Sequence, residues 1–232
     1  DKVLLPGMLV LDAFVLSHTS EVVDMPPQEE IDEFLPPYKA KYKLDLDDPR
    51  AFGSLMFPDW YYELKYKQHT SMEEALKVIE KVGKEFGEHF GRYYSLVEEY
   101  RIEEAEILLI VSGTIAQTSK EAIDILRKEG MKIGLVRMRT FRPFPKEKIR
   151  KIASKVNKLI VIDRNISFGS EGVFFTETKA CLYNEKDRPE IYGIIIGLGG
   201  RDVTVEDIIK IAKKGKEGKF KINEINWWGV KL

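Results

Sequence analysis

The sequence predicts an α/β fold: a mainly parallel sheet with helices on both faces, preceded by an extended segment and an amphipathic helix. Two observations carry this. From Tyr100 to Gly215, short Val/Ile/Leu-rich runs alternate with helical patterns, and strands this apolar need cover on both faces, which the crossover helices of a parallel sheet supply. Upstream, apolar residues between Pro58 and Phe90 recur at three- and four-residue steps with Glu and Lys between them, the spacing of one helical face.

In chain order, the run "VLLPGMLVLDA" (Val3–Ala13) reads as a buried strand, with Pro6 and Gly7 confining its regular part to the later half. Nothing adjacent supplies its cover, because Met25 to Pro49 is loop-rich, with Pro26-Pro27, Pro36-Pro37 and Pro49 around one short helix at Gln28–Phe34. Residues 1–25 are therefore expected to be the last strand of an N-terminal domain mostly lying elsewhere. Residues 26–99 are expected to be a proline-rich connector plus the amphipathic helix, built on Met72, Leu76, Ile79, Val82, Phe86 and Phe90, with Thr70 or Ser71 as its cap. Residues 100–215 form the α/β domain. Its strands are expected at Glu106–Gly113, Met131–Thr140, Asn157–Arg164 and Glu190–Leu198, and its helices at Thr118–Gly130, Pro145–Val156, Ser170–Asn184 and Thr204–Gly215. Residues 216–232 form a tail carrying Trp227 and Trp228, which either fold back or anchor a partner.

Lys plus Arg (37) nearly cancels Asp plus Glu (38), so no global field favours nucleic acid or anionic lipid. Cys181 is the single cysteine; it excludes an internal disulfide and any iron–sulfur cluster held by this chain's thiolates alone, which takes about four. No apolar run approaches the ~20 residues of a membrane span. A cytoplasmic location, with no membrane and no nucleic acid as partner, is the expectation.

Ligands of parallel sheets gather at the carboxyl ends of the strands, beside helix N-termini. Three such ends are unusual: Ser112-Gly113-Thr114, the stretch from Asp163 to Gly172, and "IIIGLGGRDVTVED" (Ile194–Asp207). The last is not a dinucleotide fingerprint. G-x-G-x-x-G would need glycine where Asp202 stands, and that carboxylate would repel a pyrophosphate. It reads instead as a strand-to-helix corner, capped by Asp202 or Thr204, with Arg201 pairing locally or with a neighbour. No G-x-S-x-G elbow is present, and Cys181 lies on an apolar helix face. His69 and His89 lack metal spacing, and His18 reads as a structural histidine. Arg137, Arg139, Arg142 and Arg164 fall at strand ends and, with Pro143, Phe144 and Pro145, suit a basic patch or a protein–protein surface. The residues expected to face an anion or a subunit interface are Thr114, Arg142, Phe144, Arg164, Ser167, Gly169, Gly199, Gly200, Arg201, Trp227 and Trp228.

Five blocks, "LDAFVLSHT", "EEIDEFLPPY", "RTFRPFP", "DRNISFGSEGVFFTE" and "GLGGRDVT", in this order and spacing, resemble the C-terminal half of the alpha subunit of 2-oxoacid:ferredoxin oxidoreductases. The likeness is greatest to the pyruvate and branched-chain (2-ketoisovalerate) types and runs from Asp1 to about Glu206. It implies a multi-subunit enzyme that oxidatively decarboxylates a 2-oxoacid to acyl-coenzyme A on thiamine diphosphate with magnesium. Electrons would pass through iron–sulfur clusters to ferredoxin. It also implies that residues 1–25 end a pyrimidine-binding-like domain and that the α/β domain resembles the C-terminal domain of transketolases. The family places the magnesium-diphosphate motif and the cysteine clusters in other subunits, so this chain is expected to bind no cofactor and no metal itself. No family catalytic residue has a matching position here, and its partners are the beta, gamma and delta subunits and, indirectly, ferredoxin. Two rival readings stand beside this one. The first is a non-catalytic module holding a phosphate-bearing ligand, such as coenzyme A, or a partner protein at its strand-end loops. The second is the beta subunit of another thiamine-dependent dehydrogenase, against which the "FLPPY" and "SFGSEG" blocks speak.

Overall fold

The computed structural model describes residues 1–231, apart from the side chains of Phe14 and Val15. In chain order its helices are α1 (Ala13–Leu16), α2 (Gln28–Phe34), α3 (Pro58–Phe90), α4 (Ile115–Lys128), α5 (Lys146–Ala153), α6 (Val173–Leu182) and α7 (Val205–Lys216). Its strands are β1 (Val97–Tyr100), β2 (Ile107–Val111), β3 (Ile133–Met138), β4 (Lys158–Asp163), β5 (Glu190–Ile195) and β6 (Ile225–Trp227). The chain divides into two compact units, one of Asp1–Leu9 with Glu21–Ser95 and the other of Val10–Ser20 with Leu96–Leu232.

The second unit holds the sheet, in the order β1-β3-β2-β4-β5-β6. β1 runs antiparallel to β3 and every other pairing is parallel. Side chains of a strand alternate between faces, and two hydrophobic clusters follow from that alternation. Ile107, Leu109 and Val111 of β2 pack with Ile123 and Leu126 of α4 and Ile208 and Ile211 of α7. Leu108 and Ile110 pack with Ile149 and Ile152 of α5 and Phe175 and Leu182 of α6. Helices therefore cover both faces, as the apolar strands require. Gly193 has to be glycine for this packing, since a Cβ there would stand 2.6 Å from the Phe175 ring. The sequence reading missed the two edge strands, β1 and β6, and placed the start of α4 three residues late.

In the other unit α3 runs unbroken for 33 residues, opening with proline in its first turn and closing at Gly91 in the left-handed region (φ 71°). The expected cap at Thr70 or Ser71 is therefore replaced by a start at Pro58, and the Thr70 hydroxyl donates to the Lys67 carbonyl inside the helix. The C-terminal half of α3 is covered. Phe34 of α2 meets Phe86 edge-on at 5.6 Å and Phe90 at 5.3 Å, and Tyr94 approaches Phe86 at 5.5 Å. A Cβ on Gly83 would stand 1.9 Å from the Tyr94 carbonyl oxygen, so glycine lets the chain beyond the helix lie directly upon it. At 100° per residue, Phe57, Tyr61 and Leu64 share the stripe of Ala75, Ile79 and Phe86, with Trp60 at its edge. These four are 42–67% exposed.

The run Val3–Ala13 forms no strand; the first ladder of the described residues begins at Val97. A strand exists only through its hydrogen-bonded neighbours, and the six strands here pair with one another. Met8 and Leu9 are 90% and 87% exposed as a result.

Candidate functional site

Three loops at the carboxyl ends of the parallel strands lead into helix N-termini, and each carries amide groups able to hold an anion. At the β2–α4 corner, Gly113 turns the chain with φ +64° and presents the Thr114 amide. The Asp12 carboxylate fills this corner. Its Oδ2 accepts from the Thr114 N–H (3.1 Å), from the Thr114 hydroxyl (2.6 Å) and from Arg164 Nη1 (3.1 Å), while Arg164 also donates to the Thr114 hydroxyl (3.3 Å). A Cβ on Gly113 would stand 2.9 Å from that same oxygen. A phosphate at this loop would have to displace Asp12 and would meet its charge.

At the β4–α6 corner the occupant is Asp163, which is 1% exposed. Its two oxygens accept from the backbone amides of Phe174 (3.2 Å) and Phe175 (3.0 Å) and from the Asn165 side-chain amide (3.2 Å), while Asn165 Oδ1 accepts from the Val173 amide (2.9 Å). The leading amides of α6 are thus spoken for. Burial raises the Asp163 pKa above the ordinary aspartate value, against the opposing pull of these donors. The intervening loop closes on itself: the Ser167 amide donates to Glu171 and the Ser170 amide to Ser167. Gly169 sits at φ +78° and Phe168 stands 93% exposed beside it.

At the β5–α7 corner Gly197, Gly199 and Gly200 all take positive φ around a single 3₁₀ turn, Leu198–Gly200. Thr204, not Asp202, caps the helix. The Thr204 hydroxyl accepts from the Asp207 amide (3.1 Å) and the Asp207 carboxylate accepts from the Thr204 amide (3.0 Å), which is a capping box. Asp207 also accepts from the Trp228 indole at 3.0 Å. Burial alone would raise the Asp207 pKa, but the Trp228 and Thr204 bonds outweigh it and hold the carboxyl below its usual range. Arg201 donates to the Gly229 carbonyl, so it ties down the tail.

The remaining candidates scatter. Arg137 (3.5 Å) and Arg139 (2.7 Å) converge with Lys120 on Glu98, and Arg142 pairs with Glu177 while lying 4.1 Å over the Phe141 ring. The arginines of the expected basic patch are thus all engaged by the chain's own acids, two of them sharing Glu98 with Lys120. Phe144, expected to face outward, is buried in the cluster of α5 and α6, because the turn before α5 points its ring at the sheet. Trp228 packs against the other cluster, and Trp227 remains half exposed. Cys181 is buried, and that burial pushes its thiol up to about 11. His18 contacts the Ser17 hydroxyl through Nδ1 at 2.8 Å, and His69 pairs with Glu73. Among the described residues, no group of three or more His, Cys, Asp or Glu side chains could hold a metal ion.

Asp12 was the residue sequence reasoning passed over. Its signal was faint: one acid closing the apolar run "MLVLD", with its partners 102 and 152 residues away.

Comparison with known proteins places these corners in a family. Residues 1–84 match a family model described as "Pyruvate flavodoxin/ferredoxin oxidoreductase, thiamine diP-bdg", and residues 105–208 match "Pyruvate:ferredoxin oxidoreductase core domain II". The ketoisovalerate oxidoreductase subunit VorA of Pyrococcus horikoshii is 50% identical over 237 residues, covering 100% of this chain and 60% of that protein. The pyruvate synthase subunit PorA of Methanothermobacter thermautotrophicus is 44% identical over 229 residues, covering 99% of this chain and 58% of that protein. Among solved structures, the 2-oxoglutarate:ferredoxin oxidoreductase of Magnetococcus marinus aligns with a TM-score of 0.47 and 20% identity, over 68% of this chain and 23% of that one. The chain spans about three fifths of the length of the curated relatives it matches.

Proposed function

This chain belongs to the family of 2-oxoacid:ferredoxin oxidoreductase subunits represented by VorA and PorA, and on that premise we propose that it is part of the alpha subunit of such an enzyme. The reaction would be oxidative decarboxylation of pyruvate or a related 2-oxoacid to acyl-coenzyme A, with electrons passed to ferredoxin. The observation that carries this reading is identity of 44–50% sustained along the whole chain to subunits of two oxidoreductases with different substrates.

Within that enzyme the contribution of this piece is assembly and structure. Two of the strand-end corners do not fit a diphosphate: the Thr114 amide and Arg164 are engaged by Asp12 and the leading amides of α6 by Asp163, carboxylates that would repel one, while at the third Thr204 and Asp207 bind each other in the capping box. In this proposal thiamine diphosphate, described for the family model that residues 1–84 match, is held by the rest of that domain and the other subunits, and magnesium and the iron–sulfur clusters by other parts of a cytoplasmic complex with beta, gamma and delta subunits. Residues 1–25 would gain their strand partners from a pyrimidine-binding-like domain. The exposed aromatic half of α3, from Phe57 to Tyr66, supports a covered surface in that complex, since Tyr, Trp and Phe are enriched at interface centres. Among the described residues no helix is long and apolar enough to cross a membrane.

Isothermal calorimetry on the isolated chain with magnesium and thiamine diphosphate is expected to show no binding, and the chain is expected to oxidise no pyruvate. Micromolar affinity for thiamine diphosphate would overturn the structural assignment.

A further inference from the structure

Asp12 sits in the segment matching the thiamine-diphosphate family, whereas Thr114 and Arg164 sit in the segment matching core domain II. Yet residues 10–20 pack as part of the same compact unit as the sheet. We propose that Asp12 is a clasp: a positioning residue whose carboxylate fastens residues 10–20, and with them the Ser17–His18 pair, to the carboxyl edge of the parallel sheet.

The geometry is that of a fastening. One oxygen gathers three donors from two different loops, at 3.1, 2.6 and 3.1 Å, and the two loops are themselves joined by Arg164 on Thr114. The donors include a main-chain amide held by α4, so they do not move with side-chain rotation alone. Asp12 and Arg164 are both about one fifth exposed, sheltered enough for a charge-assisted bond to count and open enough to avoid a full desolvation cost. Gly113 leaves room for the carboxylate through its missing Cβ. Local bonds also shape the segment: the Ser17 amide returns to the Ala13 carbonyl, and the Ser17 hydroxyl contacts the same carbonyl and His18. The clasp is a long-range tie that orders the turn α1 against the sheet, and it does so independently of the activity proposed above.

Hydrogen–deuterium exchange on the full chain tests this. Asp12→Ala is expected to speed exchange of the residue 13–20 amides about tenfold or more while leaving β3 unchanged. Asp12→Asn, which keeps an acceptor oxygen, should retain part of the protection. Arg164→Met should loosen the same amides, and the double variant Asp12→Ala/Arg164→Met should be no looser than Asp12→Ala alone. Unchanged exchange at 13–20 in both single variants would overturn the clasp, as would loosening that spreads equally into β3 or effects of the two substitutions that simply add.

Discussion

The two units of this chain bury their apolar residues to very different extents. The sheet unit covers both faces of its sheet, fills two strand-end corners with its own carboxylates and caps the third helix with the Thr204–Asp207 box. The helical unit covers only the C-terminal half of its long helix: Phe34 and Tyr94 shelter Phe86 and Phe90, while Phe57, Trp60, Tyr61 and Leu64 on the continuing stripe face solvent. An apolar stripe that changes from covered to bare without changing its residue types is built for something outside its own unit. Apolar cover is thus complete around the sheet and stops halfway along α3.

The largest contrast should appear on truncation. Phe175→Ala removes a fully buried ring from the cluster of α5 and α6 and is expected to lower unfolding stability by about 3–5 kcal/mol in urea titrations. Tyr61→Ala removes a ring of similar size from the bare half of α3 and should stay within about 0.5 kcal/mol. Comparable losses would erase the distinction between the units.

A smaller effect sharpens the picture of the sheet unit's edge. Burial alone would raise the Glu98 pKa, but Lys120 and Arg139 outweigh it and hold the carboxyl below its usual value. A carboxylate with a lowered folded pKa contributes stability above its unfolded pKa and loses it as pH falls through the folded one. Glu98→Gln is therefore expected to cost roughly 1–2 kcal/mol at neutral pH, with the gap to the parent protein closing as pH falls below the ordinary glutamate value. A gap that stays constant down to acid pH would show that Glu98 acts through packing and not charge.

Much of the sheet unit was legible in the sequence because buried parallel strands announce themselves as apolar runs, and the four runs between Glu106 and Leu198 all became strands. The edges were not. "VEEY" puts one glutamate on each face over only four residues, and β6 is three residues long, so neither offers a period to read. The run at 3–13 shows the converse: it forms no ladder within the described residues, since hydropathy records a need for cover and not the presence of strand partners. At the corners, the Thr204–Asp207 box could be read locally because its partners lie three residues apart. Asp12 could not, because its partners are brought together only by the fold. Phe144, flanked by two prolines, read as a surface turn, and the burial of its ring depends on where that turn meets the sheet.

The central claim, that the aromatic half of α3 is a surface completed by partner subunits, is tested most directly by hydrogen–deuterium exchange over residues 57–66. The chain would be measured alone and after co-expression and purification with the other oxidoreductase subunits. Residues 57–66 should exchange fast in the isolated chain and at least tenfold slower in the complex, while β2 through β5 stay protected in both. Exchange at 57–66 that is equally fast in the complex, or already slow in the isolated chain, would contradict it.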